Sequence, residues 1–215
     1  MSKDHPHADT SARYPDYDVL AKWNTPSWND PTRAAVGQRL QVRDEPRFLS
    51  AERFRILKAV CDRIVPQPTD RMNKIAVAGL VDRMLEQTES VGYRRAEMPP
   101  LREAWQRGLD ALNDEAKVRF GAEFTDLPAG RQDTVLELLQ QGDVRSSAWG
   151  DLPAQGFFKH RVLHDITVSY YAHPTAWNEI GFGGPASPRG YVRIEANRRD
   201  PWEAEEKQGA VHHGD

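Results

Sequence analysis

Between residues 50 and 172, apolar side chains return every three or four positions, a spacing that predicts amphipathic helices. The first is predicted from Ser50, a residue type suited to the N-cap and followed by Glu52, to Val65, where Pro66 and Pro68 stop it. Phe54, Leu57, Val60, Cys61 and Ile64 form its inner stripe. A second helix is predicted from about Lys74 to Gln87, turning Ile75, Ala78, Leu80, Val81, Met84 and Leu85 inward. A third begins near Pro99 or Pro100, since proline fits a first turn, and carries Leu101, Trp105, Leu109 and Leu112. A fourth covers Ala129 to Gln141, with Val135, Leu136, Leu138 and Leu139 inside and Gly142 just past its end. The fifth runs from Asp151 or Leu152 to about Ala172 with Phe157, Phe158, Val162, Leu163, Ile166 and Tyr170 inward. His173-Pro174 ends it, because the residue before proline is pushed out of the α region. No alternation bounded by hairpin turns reads as a strand. The expected fold class is therefore all-α: a compact helical domain of about five helices over residues 48–172.

The flanks read differently. Residues 1–47 are rich in Pro, Asp, Asn and Thr and lack helical periodicity, so they read as an irregular arm. Yet the arm carries Tyr14, Tyr17, Val19, Leu20, Trp23 and Trp28, large apolar groups that a solvated tail has little use for. Such side chains either anchor an interface or pack back on the chain's own core, and the sequence leaves both open. Residues 195–215 alternate charges around Trp202 and read as a tail without order in isolation.

Composition narrows the function classes. With 29 Lys+Arg against 32 Asp+Glu the net charge is -3, which gives no broad field for phosphate backbones or anionic lipid, so nucleic acid and membrane surfaces are not expected partners. No apolar run approaches the ~20 residues needed to span a bilayer. A single cysteine, Cys61, excludes an internal disulfide and any site needing several thiolates. Residues 1–14 are polar and hold neither an apolar signal core nor a twin arginine, so a cytoplasmic address is expected.

Two places hold candidate chemistry. His160 and His164 lie four apart on the fifth helix, a spacing that can hold a metal, and Asp165 sits beside them in an apolar stretch. They support one alternative, an autonomous helical enzyme with a metal or acid–base site at His160, His164 and Asp165. No third ligand is evident, and Asp165 is more simply read as a buried carboxylate paired with a donor. The second place is the segment from His173 to Tyr191. Gly181, Gly183, Gly184 and Gly190 open backbone angles closed to other residues, while Pro174, Pro185 and Pro188 stiffen what lies between. Trp177, Ile180, Phe182 and Tyr191 give this loop apolar content that something must cover. Prolines stand where a phosphate-binding loop needs a helix start, so direct nucleotide binding is not expected. Arg189, held between Pro188 and Gly190, is placed for a salt bridge at a partner surface or for a pair with Glu179.

The run Tyr170 to Pro174, followed by Trp177-Asn178-Glu179-Ile180-Gly181-Phe182-Gly183-Gly184-Pro185 and Pro188-Arg189-Gly190-Tyr191, resembles the C-terminal signature of the gluconate 2-dehydrogenase subunit 3 family. Tyr17 to Trp23, Pro26 to Asn29, and the Leu49 to Pro66 helix with its Arg-Ile-Val-Pro ending are similar to members as well. The resemblance implies a non-catalytic small subunit, accessory or stabilising, of an FAD-dependent sugar or alcohol dehydrogenase complex. It implies no cofactor bound to this chain and FAD on the large subunit, which is of the glucose–methanol–choline type, in some complexes beside a cytochrome c subunit. Partner contacts would come from Tyr17, Trp23, Trp28, Trp177, Asn178, Glu179, Phe182, Gly183, Gly184, Pro185, Arg189 and Tyr191. Many members carry a twin-arginine signal; this sequence departs from that pattern, so a periplasmic address is expected only through export with a partner.

Overall fold

The structure, a computed structural model, describes residues 14, 16–88, 97–187, 190 and 203–205. Every regular element among them is helical: α1 (Asp30–Leu40), α2 (Ala51–Ile64), α3 (Val77–Gln87), α4 (Leu101–Phe120), α5 (Ala129–Gln141), α6 (Ala154–Phe157), a π-helical turn (Phe158–Leu163), α7 (His164–Tyr171) and α8 (Pro174–Ile180). The all-α expectation holds. The chain divides into two compact units, residues 42–170 and residues 1–41 with 171–215. Arm and C-terminal loop, separate in the sequence reading, therefore share one unit; of the tail, only 203–205 is described.

Within residues 42–170, the predicted helices form with small shifts at their ends. Ser50 caps α2 by accepting from Arg53 N at 3.3 Å, and Phe54, Leu57, Val60 and Cys61 are buried as the stripe requires. Helix α3 starts at Val77 rather than near Lys74, because the Gln67 amide holds both backbone groups of Ile75, donating to its oxygen at 2.9 Å and accepting from its nitrogen at 2.7 Å. This keeps the chain before α3 out of the helix. Leu80 and Met84, expected inside, are only half-buried, and Asp82 takes an inner place at 0% exposure. Its carboxylate accepts from Arg47 N (2.5 Å), Phe48 N (3.0 Å) and Leu49 N (2.8 Å), so the lead-in to α2 satisfies the charge that burial strands. Glu115 on α4 is likewise fully buried, accepting from Arg119 Nε (2.5 Å), Arg145 N (3.0 Å), Ser146 N (2.8 Å) and Trp149 Nε1 (3.3 Å).

Trp105, Leu109, Leu112, Leu139, Phe157 and Ile166 are fully buried at the centre of this unit. Phe157 lies edge-on to Trp105 with ring centres 5.6 Å apart, and Gly108 makes room for it: a Cβ there would come within 2.3 Å of the ring. The predicted fifth helix is present over 154–171 but is not uniformly α, since its middle widens into the π turn, and Leu163, expected inside, is 42% exposed there.

The second unit holds two helices that the periodicity did not announce. Val36 is the only buried residue of α1, so no apolar stripe marks it; its start signal is local, Asn29 accepting from Thr32 N at 3.0 Å with Pro31 in the first turn. For α8, His173-Pro174 was read as a stop. It does end α7, and it also starts the next helix, His173 Nδ1 accepting from Thr175 N at 3.2 Å.

Candidate functional site

In the unit built from the arm and the C-terminal segment, Asp18 caps a 3₁₀ turn over Val19–Lys22 by accepting from Leu20 N at 3.0 Å. That turn carries Val19 into a cluster with Trp28, Val36 and Trp177, against which Tyr17, Leu20 and Trp23 pack. Trp28 and Trp177 are 2% and 3% exposed, so their rings are covered by the chain itself. Trp23 stands edge-on to Trp28 with ring centres 5.7 Å apart, and Phe182 edge-on to Trp177 at 5.8 Å.

Hydrogen bonds fix the two segments to each other. Val19 N donates to Asn178 Oδ1 at 2.8 Å, and Asn178 Nδ2 reaches Asp18 Oδ1 at 3.4 Å. Trp28 Nε1 donates to Pro185 O at 2.7 Å, Asn29 N to Ser187 O at 3.0 Å, and Tyr17 Oη to Phe182 O at 3.3 Å. Trp177 Nε1 donates to Tyr171 O at 2.6 Å. Gly183 and Gly184 are buried, and Gly184, at φ 68°, lies where a Cβ would press on both Trp28 and Trp177. Within the arm, Arg33 donates to Trp28 O at 2.5 Å.

The structure thus brings Tyr17, Trp23, Trp28, Trp177, Asn178, Phe182, Gly183, Gly184 and Pro185 into one unit, with Glu179 half-buried on α8; Arg189 and Tyr191 lie outside the described residues. Among the described residues of the segment, Phe182 at 41% and Ile180 at 48% are the large apolar groups left facing outward. Asp18 and Asn178 form a paired fastening that the sequence pattern does not announce. The signal for Asp18 was its place directly before the apolar Val19-Leu20 pair, a capping position; Asn178 had no local signal, because its partner is 159 residues away.

The alternative chemistry resolves differently. Asp165 is 5% exposed and accepts from Trp105 Nε1 at 2.9 Å through one oxygen, while the other lies 2.9 Å from His164 Nδ1. His164 is 66% exposed. Asp165 has found donors, as a buried carboxylate must, and among the described residues no group of three or more His, Cys, Asp or Glu side chains converges as a metal site. Cys61 is buried, and burial pushes its thiol well up, with Asp44 and Asp62 adding to the effect.

Among the described residues, no helix is long and apolar enough to cross a membrane. The sequence pattern of the family described as Gluconate 2-dehydrogenase subunit 3 matches residues 51–184. No curated protein and no solved structure matches the chain.

Proposed function

Because the chain belongs to the gluconate 2-dehydrogenase subunit 3 family, we propose that it is the small, non-catalytic subunit of an FAD-dependent sugar or alcohol dehydrogenase. In this reading a large subunit of the glucose–methanol–choline type carries FAD and performs the hydride chemistry. The small subunit binds it and supports its folding and stability, and a cytochrome c subunit receives the electrons in complexes that contain one. The compartment is then set by the partner.

The observation that carries the reading is the family match, which runs from α2 through Gly184 and so includes the Trp177 to Gly184 part of the C-terminal loop. The geometry supports it in one respect. A segment fixed by Asn178, Trp28 and Trp177 presents Phe182 and Ile180 in a set conformation, so docking through it loses little conformational entropy. Buried Trp28 and Trp177 act as its internal brace; Phe182, with the half-buried Tyr17 and Trp23, supplies the outward apolar area.

The test is co-expression of the tagged chain with the flavoprotein encoded beside it. A yellow heteromer with constant stoichiometry and dye-linked dehydrogenase activity is expected. Recovery of a colourless, well-folded chain that ignores the flavoprotein overturns the reading.

A further inference from the structure

The first turn of α8 is closed by a titratable group. Pro174 in the first position has no N–H, so Thr175 N is the first backbone donor of the helix that must look outside it for an acceptor. It finds an imidazole: the half-buried His173 accepts through Nδ1 at 3.2 Å, while His173 O accepts from Ala176 N at 3.0 Å and Trp177 N at 3.3 Å. Ser, Thr and Asn cap helices with an oxygen that accepts whatever the pH, whereas a ring nitrogen accepts only while it is bare. Protonation turns Nδ1 into a donor facing a donor and sets a positive charge at the positive end of the helix.

What hangs on this cap is the closure of arm on loop. Directly after it, α8 carries Trp177 into the cluster with Val19, Trp28 and Val36, and carries Asn178, whose Oδ1 accepts from Val19 N at 2.8 Å. The charged and titratable groups on the elements around the cap are Tyr171 just before it, Arg39 of α1, Asp18 and Lys22 at the 3₁₀ turn that packs on α8, and Glu179 on α8 itself. Arg39 donates to Ala172 O at 3.1 Å, so an imidazolium at His173 would form beside a residue that already holds a cation. Histidine is the one side-chain type whose ordinary charge change falls between pH 5 and 8.

We propose that His173 is a pH-sensitive cap: with Nδ1 bare it closes the first turn of α8 and holds arm and loop together, and on acidification it releases that turn and loosens the unit that presents Ile180 and Phe182. Closed, the bond from Thr175 N leaves Nδ1 no place for a proton; opened, the imidazole takes one up. Closure is therefore complete above the ordinary imidazole value of ~6.5 and weakens as pH falls below it. The device belongs to the fold of this unit and stands or falls apart from the accessory-subunit reading.

The experiment follows native-state hydrogen exchange of the full chain at Val19 N and Trp177 Nε1, at about pH 7.5 and about pH 5.5, in wild type, His173→Asn and His173→Ala. Rates are read as protection factors, so the pH dependence of the exchange chemistry itself divides out. Asparagine carries its oxygen at the δ position of the ring nitrogen and caps without titrating, so His173→Asn is expected to keep its protection at both pH values. Wild type is expected to match it at the higher pH and to lose about fivefold at the lower, and His173→Ala to be about fivefold low at both, the worth of one helix cap. Phe124 N, within residues 42–170, checks that each variant folds and is expected to hold its protection in all three. If wild type keeps its protection at the lower pH, the proposal is overturned. It is also overturned if either variant still responds to pH as wild type does, since the titrating group then lies elsewhere.

Discussion

Replacing Gly184 with alanine tests the arm-and-loop unit at its tightest point. Gly184 sits at φ 68°, where an alanine costs about 1–2 kcal/mol relative to glycine. The new Cβ would stand 3.1 Å and 3.2 Å from two atoms of the Trp177 ring and 3.2 Å from Trp28 Cζ2. Neither indole can swing away cheaply: each is buried, and each is tied through Nε1, Trp177 to Tyr171 O at 2.6 Å and Trp28 to Pro185 O at 2.7 Å. Overpacking of this kind adds roughly 1–3 kcal/mol, for a total of about 2–5 kcal/mol. Gly121→Ala is the control, because Gly121 has φ 73° but nothing within 4 Å of a Cβ, so only the backbone part of about 1–2 kcal/mol applies. Native-state hydrogen exchange reads each unit separately. The reporters are Asn29 N, bonded to Ser187 O at 3.0 Å, and Phe182 N, bonded to Trp177 O at 2.9 Å, for Gly184; Phe124 N, bonded to Asn113 Oδ1 at 2.9 Å, serves for Gly121. Exchange at Asn29 and Phe182 is expected to accelerate roughly 30-fold or more in Gly184→Ala, against roughly 5- to 30-fold at Phe124 in the control. Equal acceleration by the two substitutions would refute the packing of Gly184 between the indoles.

Glu115→Gln removes the charge on which Arg119 Nε, Arg145 N and Ser146 N converge, and a loss of about 3–5 kcal/mol in urea unfolding is expected. Burial alone would push the Glu115 carboxyl up, but the bonds from Ser146 N, Arg119 and Arg145 N outweigh it and hold the group below its usual range. Its stabilisation is therefore complete above the unfolded value near ~4.3 and fades as pH falls below that, so the gap between wild type and Glu115→Gln should narrow on acidification; a constant gap from pH 6 to 3 contradicts the assignment. Asn178→Ala leaves Val19 N, on a residue 1% exposed, without its acceptor; a loss of about 1–3 kcal/mol is expected, read as faster proteolysis before Trp28. Cys61, buried with its thiol pushed up, should react with a thiol-specific disulfide reagent only as fast as the unit opens, accelerating with urea; prompt labelling of the native chain would contradict its placement.

Helices α2, α4 and α5 were legible because their signals are local: a cap at Ser50, prolines before α4 and α5, and apolar residues at helical spacing. Helix α1 was not, since a helix with Val36 as its one buried residue carries no stripe to detect, and α8 was hidden by a His-Pro pair that serves as both stop and start. The site was half legible. Its aromatics stood out by composition, but whether Trp28 and Trp177 face a partner or each other turns on contacts across some 150 residues of chain, as Trp28 Nε1 to Pro185 O illustrates with a separation of 157.

By itself the sequence determined an all-α chain, the faces most helices bury, and, through the pattern matched over residues 51–184, the family; these are fixed by short-range spacing, capping and residue identity. Only the tertiary structure decided that arm and C-terminal loop close on one another, that Asp82 and Glu115 are buried carboxylates answered by distant backbone amides, and that the helix after Pro153 widens into a π turn over Phe158–Leu163. The physical reason is the same in each case: burial, long-range hydrogen bonds and the width of a helical turn depend on which segments meet in space, and no local pattern encodes that.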